Sequence, residues 1–421
     1  MDKSDRSGAG MGSGDTGPGE SKYRRREIVG MGAKAAAAAT LMPVLGSELA
    51  FAQSGHQHSV ARGRLGLVGT DHVGLTVPDI GEAVAWFKDV MGATDALSFG
   101  PISDPTGTLM HDLLDVDRHA VIDRIAVLRI GHSANIELFQ YRAPHQNRTF
   151  AKNSDWSGHH VAFYVRDIDA AVGYMERKGV KKFLGPFPVK AGPAAGQTIN
   201  YFKTPFGTYI EFISYPHGMA YQKRGVNPLW SPKVNGLRSE VTTVPGLLGI
   251  DHIGITVPNV VVAARWFRDV LGFRNPLTFG PISDPMGTLM HDLVDVDRRA
   301  VINQIRMVNG GSGPNVELFQ YEAPGQSHRF AKNSDYGGHH IAFYVRDIHT
   351  AVAYMQSKGV KKLLGPFPIT SGPAAGQTIN YFKTPFGTFV ELISYPHGMA
   401  YQRTARIRLW DPRHNRPPHG R

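Results

Sequence analysis

Short stretches of alternating apolar and polar residues, each followed by a helical pattern, recur along the chain. In residues 72–77 an apolar side chain stands at every second position, which is typical of a half-buried strand. A capping-box pattern at Asp79 and Glu82 then starts a helix whose apolar positions return every three or four residues. Residues 160–165 alternate in the same way and lead into a second helix that begins at Asp167.

Further strand patterns follow each of these helices. They occupy residues 122–129 and 135–141 after the first helix, and residues 198–202 and 208–215 after the second. The repeating unit is therefore strand–helix–strand–strand–strand, or βαβββ, and we refer to each copy as a module.

The pattern of two modules returns once along the chain, at a constant offset and without an insertion. His72 corresponds to His252, and the segment FGPISDP at 99–105 returns at 279–285. This period far exceeds the roughly 20–50 residues of stacked repeat proteins. We therefore predict an α+β fold built as a tandem repeat of paired βαβββ modules, which gives four modules in the chain.

The repeat also predicts domain boundaries. We expect a leader at 1–52, a first domain at 65–222, a linker rich in Pro, Gly, Asn and Ser at 223–244, a second domain at 245–402 and a basic tail at 403–421. The two modules of one half can share a sheet, or modules can be exchanged between the halves. The spacing allows both arrangements.

The leader has the features of an export signal. Three consecutive arginines at 24–26 precede a modest apolar run, which ends in an Ala-x-Ala pattern at 50–52. We predict a signal of the twin-arginine type, cleaved near Gln53, and a periplasmic or extracellular protein without a transmembrane anchor after cleavage. No later segment has the ~18 uninterrupted apolar residues of a membrane span.

Composition narrows the chemistry. The 421 residues include no cysteine, which excludes disulfides, thiolate zinc sites, iron–sulfur clusters and a cysteine nucleophile. The formal charge is +11, but arginines cluster in the leader and the tail and no basic–aromatic stripe runs along either half, so we predict no nucleic-acid partner. Phosphate-binding loops and a serine nucleophile elbow are missing from the sequence.

Strand parity draws attention to a set of histidines and glutamates. His72 and His160 begin their strands on the face opposite the apolar residues, and Glu137 and Glu211 lie mid-strand among large apolar neighbours. A buried carboxylate is costly unless it is neutralised, paired or bound to a metal. Two His and two Glu around one point suit a divalent metal. The predicted metal ligands are His72, Glu137, His160 and Glu211, with His252, Glu317, His340 and Glu391 in the second half.

These residues on βαβββ modules, together with the segment TPFG-x-x-x-E that ends at Glu211, resemble the vicinal oxygen chelate superfamily. This superfamily includes glyoxalase I, methylmalonyl-CoA epimerase, extradiol dioxygenases, fosfomycin-resistance enzymes and bleomycin-binding proteins. The resemblance implies cup-shaped mixed sheets of the glyoxalase-like fold and a small-molecule substrate with chelating oxygens. It also implies a divalent metal, with Fe, Ni, Zn, Mn and Co all open, and a monomer or a homo-oligomer.

Two enzyme classes of the superfamily compete. Four protein ligands resemble the glyoxalase-like lyases and isomerases, in which a carboxylate ligand detaches and acts as a base. The alternative is an Fe(II) extradiol dioxygenase, because Tyr201 and Tyr381 precede a predicted glutamate ligand by ten residues, as in those enzymes. Against it, the dioxygenases normally lack the glutamate found here at 137 and 317. The predicted catalytic residues are Glu137, Glu211, Glu317, Glu391, Tyr201 and Tyr381. A second alternative is a binding or resistance protein without catalysis.

A further repeated segment offers candidate substrate contacts. His111 and Arg118 lie in a predicted loop after the first helix, and His291 and Arg298 occupy the same places in the second half. They either contact a polar or anionic substrate or form caps and pairs within the loop.

Overall fold

The computed structural model of the protein describes residues 65–224, 228–235 and 243–414. The predicted leader at 1–52 lies outside the described residues, as do parts of the predicted linker and the end of the predicted tail. In the described part of the chain, no helix is long and apolar enough to cross a membrane.

The first and second modules contain the predicted strand–helix–strand order. The first consists of β1 (Leu67–Thr76), α1 (Ile80–Met91), β2 (Thr94–Phe99), α2 (Leu109–Leu114), β3 (Val121–Arg129) and β4 (Asn135–Arg142). The second consists of β5 (His159–Val165), α3 (Ile168–Arg177), β6 (Lys181–Lys182), β7 (Phe187–Pro188), β8 (Thr198–Lys203) and β9 (Tyr209–Ser214).

The third and fourth modules repeat this order. The third consists of β10 (Leu247–Thr256), α4 (Val260–Leu271), β11 (Arg274–Phe279), α5 (Leu289–Val294), β12 (Val301–Asn309) and β13 (Asn315–Glu322). The fourth consists of β14 (His339–Val345), α6 (Ile348–Ser357), β15 (Phe367–Pro368), β16 (Thr378–Lys383) and β17 (Phe389–Ser394). Short 3₁₀ helices lie at Ala220–Arg224, Pro232–Asn235 and Ala400–Arg403.

Two mixed sheets carry the fold, and each combines modules from different halves. The outer sheet has the order β15-β16-β17-β14-β1-β4-β3-β2, so it joins the first module to the fourth. The inner sheet has the order β11-β12-β13-β10-β5-β9-β8-β6, with β7 also paired to β8, and it joins the second module to the third. The α+β prediction of paired βαβββ modules is confirmed. Of the two pairings that the spacing left open, the structure has the exchange between halves.

The inner sheet is nested within the outer one along the chain. The inner sheet uses residues 159–322, whereas the outer sheet uses residues 67–142 and 339–394 on either side of it. The central contact of the outer sheet is the antiparallel pair of β1 and β14, in which Val73 faces Ile341.

Helix α1 shows how the sequence sets these elements. Asp79 caps it by accepting a hydrogen bond from the backbone N–H of Glu82, as the capping-box pattern predicts. The helix ends at Gly92, whose φ of 70° lies in the left-handed region that favours glycine. Phe87 is fully buried and belongs to one apolar core that includes residues of all four modules. The two halves therefore share a core.

Two segments outside the modules pack against strands of the sheets. The Trp230 backbone N–H donates to Asn315 Oδ1 at 3.1 Å, and the Trp410 N–H donates to Asn135 Oδ1 at 2.9 Å. The two indole rings lie 6.4 Å apart and are buried with Ala134. These parts of the predicted linker and tail are thus packed against the strands.

Candidate metal centres

Four adjacent strands in each sheet supply one polar side chain each to a common point. In the outer sheet, the order β17-β14-β1-β4 places in succession Glu391, His340, His72 and Glu137, which we call the outer centre. In the inner sheet, the order β9-β5-β10-β13 places in succession Glu211, His160, His252 and Glu317, which we call the inner centre. All eight residues are buried.

The outer centre brings its ligand atoms close together. His72 Nε2 lies 3.1 Å from Glu137 Oε2 and 3.3 Å from Glu391 Oε2. His340 Nε2 lies 3.2 Å from Glu391 Oε2 and 3.5 Å from Glu137 Oε2. The two Nε2 atoms are 3.3 Å apart. One ion can therefore contact all four side chains, which come from both halves of the chain.

The inner centre has matching geometry. His252 Nε2 lies 3.1 Å from Glu317 Oε2 and 3.3 Å from Glu211 Oε2. His160 Nε2 lies 3.2 Å from Glu211 Oε2 and 3.4 Å from Glu317 Oε2, and it is 3.3 Å from His252 Nε2. In both centres the selected ligand atoms all lie within 4.8 Å of one another.

Small residues between the ligands make room for the imidazoles. In the outer sheet Gly74 is paired with both His340 and Glu137, and Ala342 is paired with both His72 and Glu391. A β-carbon on Gly74 would overlap the His340 ring. Gly254 stands in the same relation to His160 in the inner centre. Glycine is needed at both positions because a side chain would have no room. The backbone conformation does not require it, since neither residue has a positive φ.

An aspartate orients the first histidine of each centre. His72 Nδ1 lies 2.8 Å from Asp71 Oδ1, and a carboxylate can only accept here, so Nδ1 carries a proton and Nε2 faces the centre. The Tyr395 hydroxyl in turn donates to Asp71 Oδ2 at 2.5 Å. In the inner centre Asp251 and Tyr215 hold His252 in the same way.

The residues present fit a divalent cation. Oε2 of Glu391 is buried and makes no hydrogen bond, although it lies within ion-pair distance of two imidazoles; Oε2 of Glu211 is in the same position. Burial opposes charge on Glu391, but His340 and His72 prevail and lower its pKa to about 2. Burial also opposes charge on His72, yet Glu137 and Asp71 raise its pKa well above the usual value. In the centre, the ionised carboxylates stabilise buried protons on the imidazoles. A metal ion can take the place of those protons.

Tyrosines lie beside both centres. The Tyr381 hydroxyl is 3.4 Å from His340 Nε2, and the rings of Tyr201 and His160 have centroids 5.2 Å apart. Burial, followed by the charge of the nearby glutamates, raises the pKa of both tyrosines well above the usual value, so their hydroxyls stay protonated. The structure therefore brings these two predicted tyrosines to the centres.

The predicted substrate contacts lie elsewhere. The structure places His111 on the short helix α2 and not in a loop; its side chain is 63% exposed and pairs with Asp112. Arg118 is exposed and donates to His119. His291 pairs with Asp292 on α5, and Arg298 is exposed. Among the described residues, none of the four makes a hydrogen bond or ion pair with a centre, and their contact with substrate stays a prediction.

Sequence reasoning missed Asp71, Asp251, Tyr215 and Tyr395. The signal was present, because each aspartate directly precedes a predicted histidine ligand and both tyrosines belong to the repeated SYPHGMAY segment. Two further histidines, His159 and His339, begin β5 and β14 directly before the ligands His160 and His340. They are buried with ring centroids 4.4 Å apart, and each Nδ1 lies near a backbone carbonyl.

Comparison with known proteins gives a family match in both halves. The sequence profile described as Glyoxalase/Bleomycin resistance protein/Dioxygenase superfamily matches residues 71–201 and 251–381. A similar protein is the 2-epi-5-epi-valiolone epimerase of an Actinomyces species, which is 42% identical over 173 residues. That alignment covers 41% of this chain and 93% of the epimerase, so a part of this chain corresponds to nearly the whole relative.

Solved structures that the comparison matches to this chain include two glyoxalases. A mutant of glyoxalase I from Zea mays has a TM-score of 0.49 and 15% sequence identity, over 80% of this chain and 97% of the other. A Mn(II)-bound glyoxalase from Novosphingobium aromaticivorans has a TM-score of 0.26 and 18% identity, over 82% of this chain and 87% of the other.

Proposed function

The chain belongs to the glyoxalase/bleomycin resistance/dioxygenase superfamily and is an enzyme of that superfamily, and from this premise we propose that it is a metal-dependent epimerase. Its substrate would be a polyhydroxylated cyclic ketone of the valiolone type, after the relative that matches over 93% of its length. The observation that carries the proposal is the pair of centres, in which two imidazoles and two carboxylates converge within 4.8 Å.

The ligand set supports an isomerase more than a ring-cleaving dioxygenase. Glu137 and Glu317 lie in the centres, 3.1 Å from His72 and His252 respectively, so each centre offers four protein ligands. A two-His, one-carboxylate triad leaves three positions open for an aromatic diol and oxygen. With four protein ligands, an octahedral ion keeps two positions, which suits one substrate bound through two adjacent oxygens.

A divalent ion bound there would act as a Lewis acid on the substrate oxygens and stabilise the negative charge that proton removal leaves. Epimerisation requires that a proton leave one face of a carbon and return to the other. Glu137 and Glu391 belong to different modules, and their strands β4 and β17 flank the two histidine strands on opposite sides. One ionised carboxylate removes the proton, and the other, protonated from solvent, delivers a proton to the opposite face; exchange with water then restores both groups. Glu317 and Glu211 have these roles in the inner centre.

The test uses metal-free protein reconstituted separately with Mn(II), Co(II), Ni(II), Zn(II) or Fe(II). With 2-epi-5-epi-valiolone in D₂O, we expect inversion at the carbon beside the carbonyl, with deuterium incorporated there and seen by NMR. In the double variant Glu137→Gln/Glu317→Gln, proton exchange without inversion is expected, since one face keeps its base.

The control is Glu322→Gln, which removes an exposed glutamate of β13 outside the centres and should leave the rate unchanged. Metal content is measured for every variant, so loss of a base is separated from loss of the ion. Oxygen consumption with catechols, in place of epimerisation, would overturn the proposal in favour of a dioxygenase.

We also propose that the protein is exported. The support is the arginine triplet at 24–26, the apolar run behind it and the Ala-x-Ala pattern at 50–52. N-terminal sequencing of protein recovered outside the cytoplasm should begin near Gln53. Replacement of Arg24, Arg25 and Arg26 by Lys should retain the full-length chain inside the cell, and unchanged export would contradict the route.

A further inference from the structure

A groove lined by arginines lies on the third module, between α4 and the edge of the inner sheet. Its volume is about 420 Å³, within the ~300–1,000 Å³ of small-molecule sites. The polar part of its lining is Arg265, Arg268, Arg274, Arg306 and Asn275, and the apolar part is Val261, Ala264 and Phe273. The strand at this edge is β11, the last of the inner sheet.

The groove is separate from the inner centre. Within β12, Met307 is paired with Glu317, so its side chain lies on the face of the sheet that carries the inner centre. There it packs with Leu277. Neighbouring residues of a strand point to opposite faces, so Arg306 points to the helix side of the sheet. A ligand in the groove would therefore not reach the four ligands of the inner centre.

The positive charge of the groove is mostly uncompensated. Arg268 is paired with Asp269, Nε to Oδ1 at 2.7 Å, and this contact lowers the pKa of Asp269. Arg306 donates to the neutral side chain of Gln304 at 2.7 Å. Within residues 65–224, 228–235 and 243–414, Arg265 and Arg274 form no ion pair, and Arg265 acts on Asp269 only at longer range. Guanidinium groups so close repel each other, and an anion between them would relieve this repulsion.

The first module shows that the fold does not need these arginines. At the corresponding positions of that module, Arg265, Arg274 and Arg306 are replaced by alanine, threonine and alanine, and Arg268 by Lys88. Asn275 is replaced by Asp95, whose carboxylate lies 3.8 Å from Arg124. The same structural position is thus nearly neutral in one module and strongly basic in the other.

We propose that the groove binds the phosphate or diphosphate group of a small organic molecule. The planar guanidinium fork matches phosphate oxygens with two parallel hydrogen bonds, and several forks together favour a group with two or more negative charges. Val261, which is 41% exposed, continues the site with an apolar surface for the organic part. This site is independent of the proposed epimerase activity.

The test is isothermal titration calorimetry on the metal-free protein, so that the probes cannot bind a metal in the centres. The probes are ADP, pyrophosphate and inorganic phosphate. One ADP or pyrophosphate is expected per chain, with an affinity that falls as salt is raised. Tighter binding of ADP than of pyrophosphate shows that the organic part of the ligand is also recognised, and equal binding shows that the diphosphate group alone is recognised; both support the phosphate site.

The variant Arg265→Ala/Arg274→Thr/Arg306→Ala installs the residues of the first module. We expect at least a tenfold loss of affinity, about the effect of one charge-assisted hydrogen bond. Lys88→Ala, at the matching place of the first module, should bind the probes like the wild type. Circular dichroism and metal content after reconstitution show that the variants are folded.

Absence of ADP and pyrophosphate binding to the wild type, or equal binding by the triple variant, would overturn the proposal. Binding of duplex DNA or phosphatidic acid vesicles that depends on the three arginines, without ADP binding, would also overturn it in favour of a polyanion surface. None of these results bears on the metal centres, which are empty during the titration.

Discussion

Gly74 of β1 is paired directly with His340 of β14, and only the absence of a side chain at this glycine leaves space for the imidazole. The two residues belong to different halves of the chain, one in the first module and the other in the fourth. The outer centre therefore depends on a contact between backbones that is made only when these two modules pair.

Gly74→Ala should remove the metal from the outer centre alone. The added β-carbon overlaps the His340 ring, which must leave its position or push the two strands apart, at a cost of roughly 1–3 kcal/mol. Metal analysis after reconstitution should fall from about two ions per chain to one. Gly254→Ala should have the same effect on the inner centre. The control is Gly173→Ala, whose new β-carbon meets only the end of Arg177 at an ordinary distance; a loss of metal there would contradict the steric explanation.

Asp71→Asn should weaken the outer centre without unfolding it. An amide is a weaker hydrogen-bond acceptor for His72 Nδ1–H than a carboxylate. The imidazole is therefore held less firmly and becomes less basic. Metal affinity at one of the two centres should fall about 10- to 100-fold, measured by competition with a chelator. Tyr395→Phe removes only the hydrogen bond to Asp71 and should cause a smaller loss in the same centre. Equal affinity at both centres in Asp71→Asn would show that the aspartate has no such role.

Pairs of histidine substitutions distinguish the two ways in which the modules can combine. His72→Ala/His340→Ala affects a single centre and should leave about one ion per chain. His72→Ala/His160→Ala changes two residues of the same half, but these belong to different centres, so no tightly bound ion should remain. Both variants lack two imidazoles, and each serves as the control for the other. The opposite metal contents would mean that modules pair within each half.

Asp295→Asn should destabilise the contact between the second and third modules in a pH-dependent way. Asp295 accepts hydrogen bonds from Lys203 at 2.9 Å and from Tyr209 at 2.7 Å. Burial raises the pKa of this carboxyl group, but those two partners outweigh burial and lower it. Its stabilisation is therefore present above the unfolded pKa of about 4 and is lost as the pH falls toward the folded value.

Urea unfolding should show a loss of about 1–2 kcal/mol for Asp295→Asn at pH 7, which shrinks as the pH is lowered through about 4. Asp297→Asn is the control, because among the described residues the Asp297 side chain bonds to the nearby Arg299 at the surface and to no other module. A loss that stays constant with pH would mean that packing, and not the charge, is responsible.

The sequence was sufficient to predict the modules and the polar residues that converge in the two centres. Strand parity put His72 and Glu137 on defined faces, and the constant offset between the halves extended this to His252 and Glu317. The pairing of modules could not be predicted, because a quartet of two His and two Glu forms either way. The hydrogen bonds between β1 and β14, and those between β5 and β10, distinguish the two arrangements.

Other features depend on residues whose role appears only in three dimensions. The sequence shows a glycine at position 74 but not why one is needed there. The reason is the His340 ring, which is distant in sequence and fills the space that a side chain would occupy. Trp230 and Trp410 lie in segments whose composition is typical of a linker and a tail, yet they hydrogen-bond to asparagines of β13 and β4. The arginines of the groove are spread along the chain from Arg265 to Arg306 and meet only because β11 and β12 pack beside α4.

The nested sheets impose an order on biosynthesis. A chain that emerges from the ribosome contains every strand of the inner sheet once residue 322 is available, whereas β1 must wait for β14, whose last residue is 345. Until then the first module presents the free edge of β1, and free strand edges invite association with other chains. Nascent chains that contain residue 76 but not yet residue 345 should therefore bind chaperones most strongly. A chain truncated before β14 should aggregate.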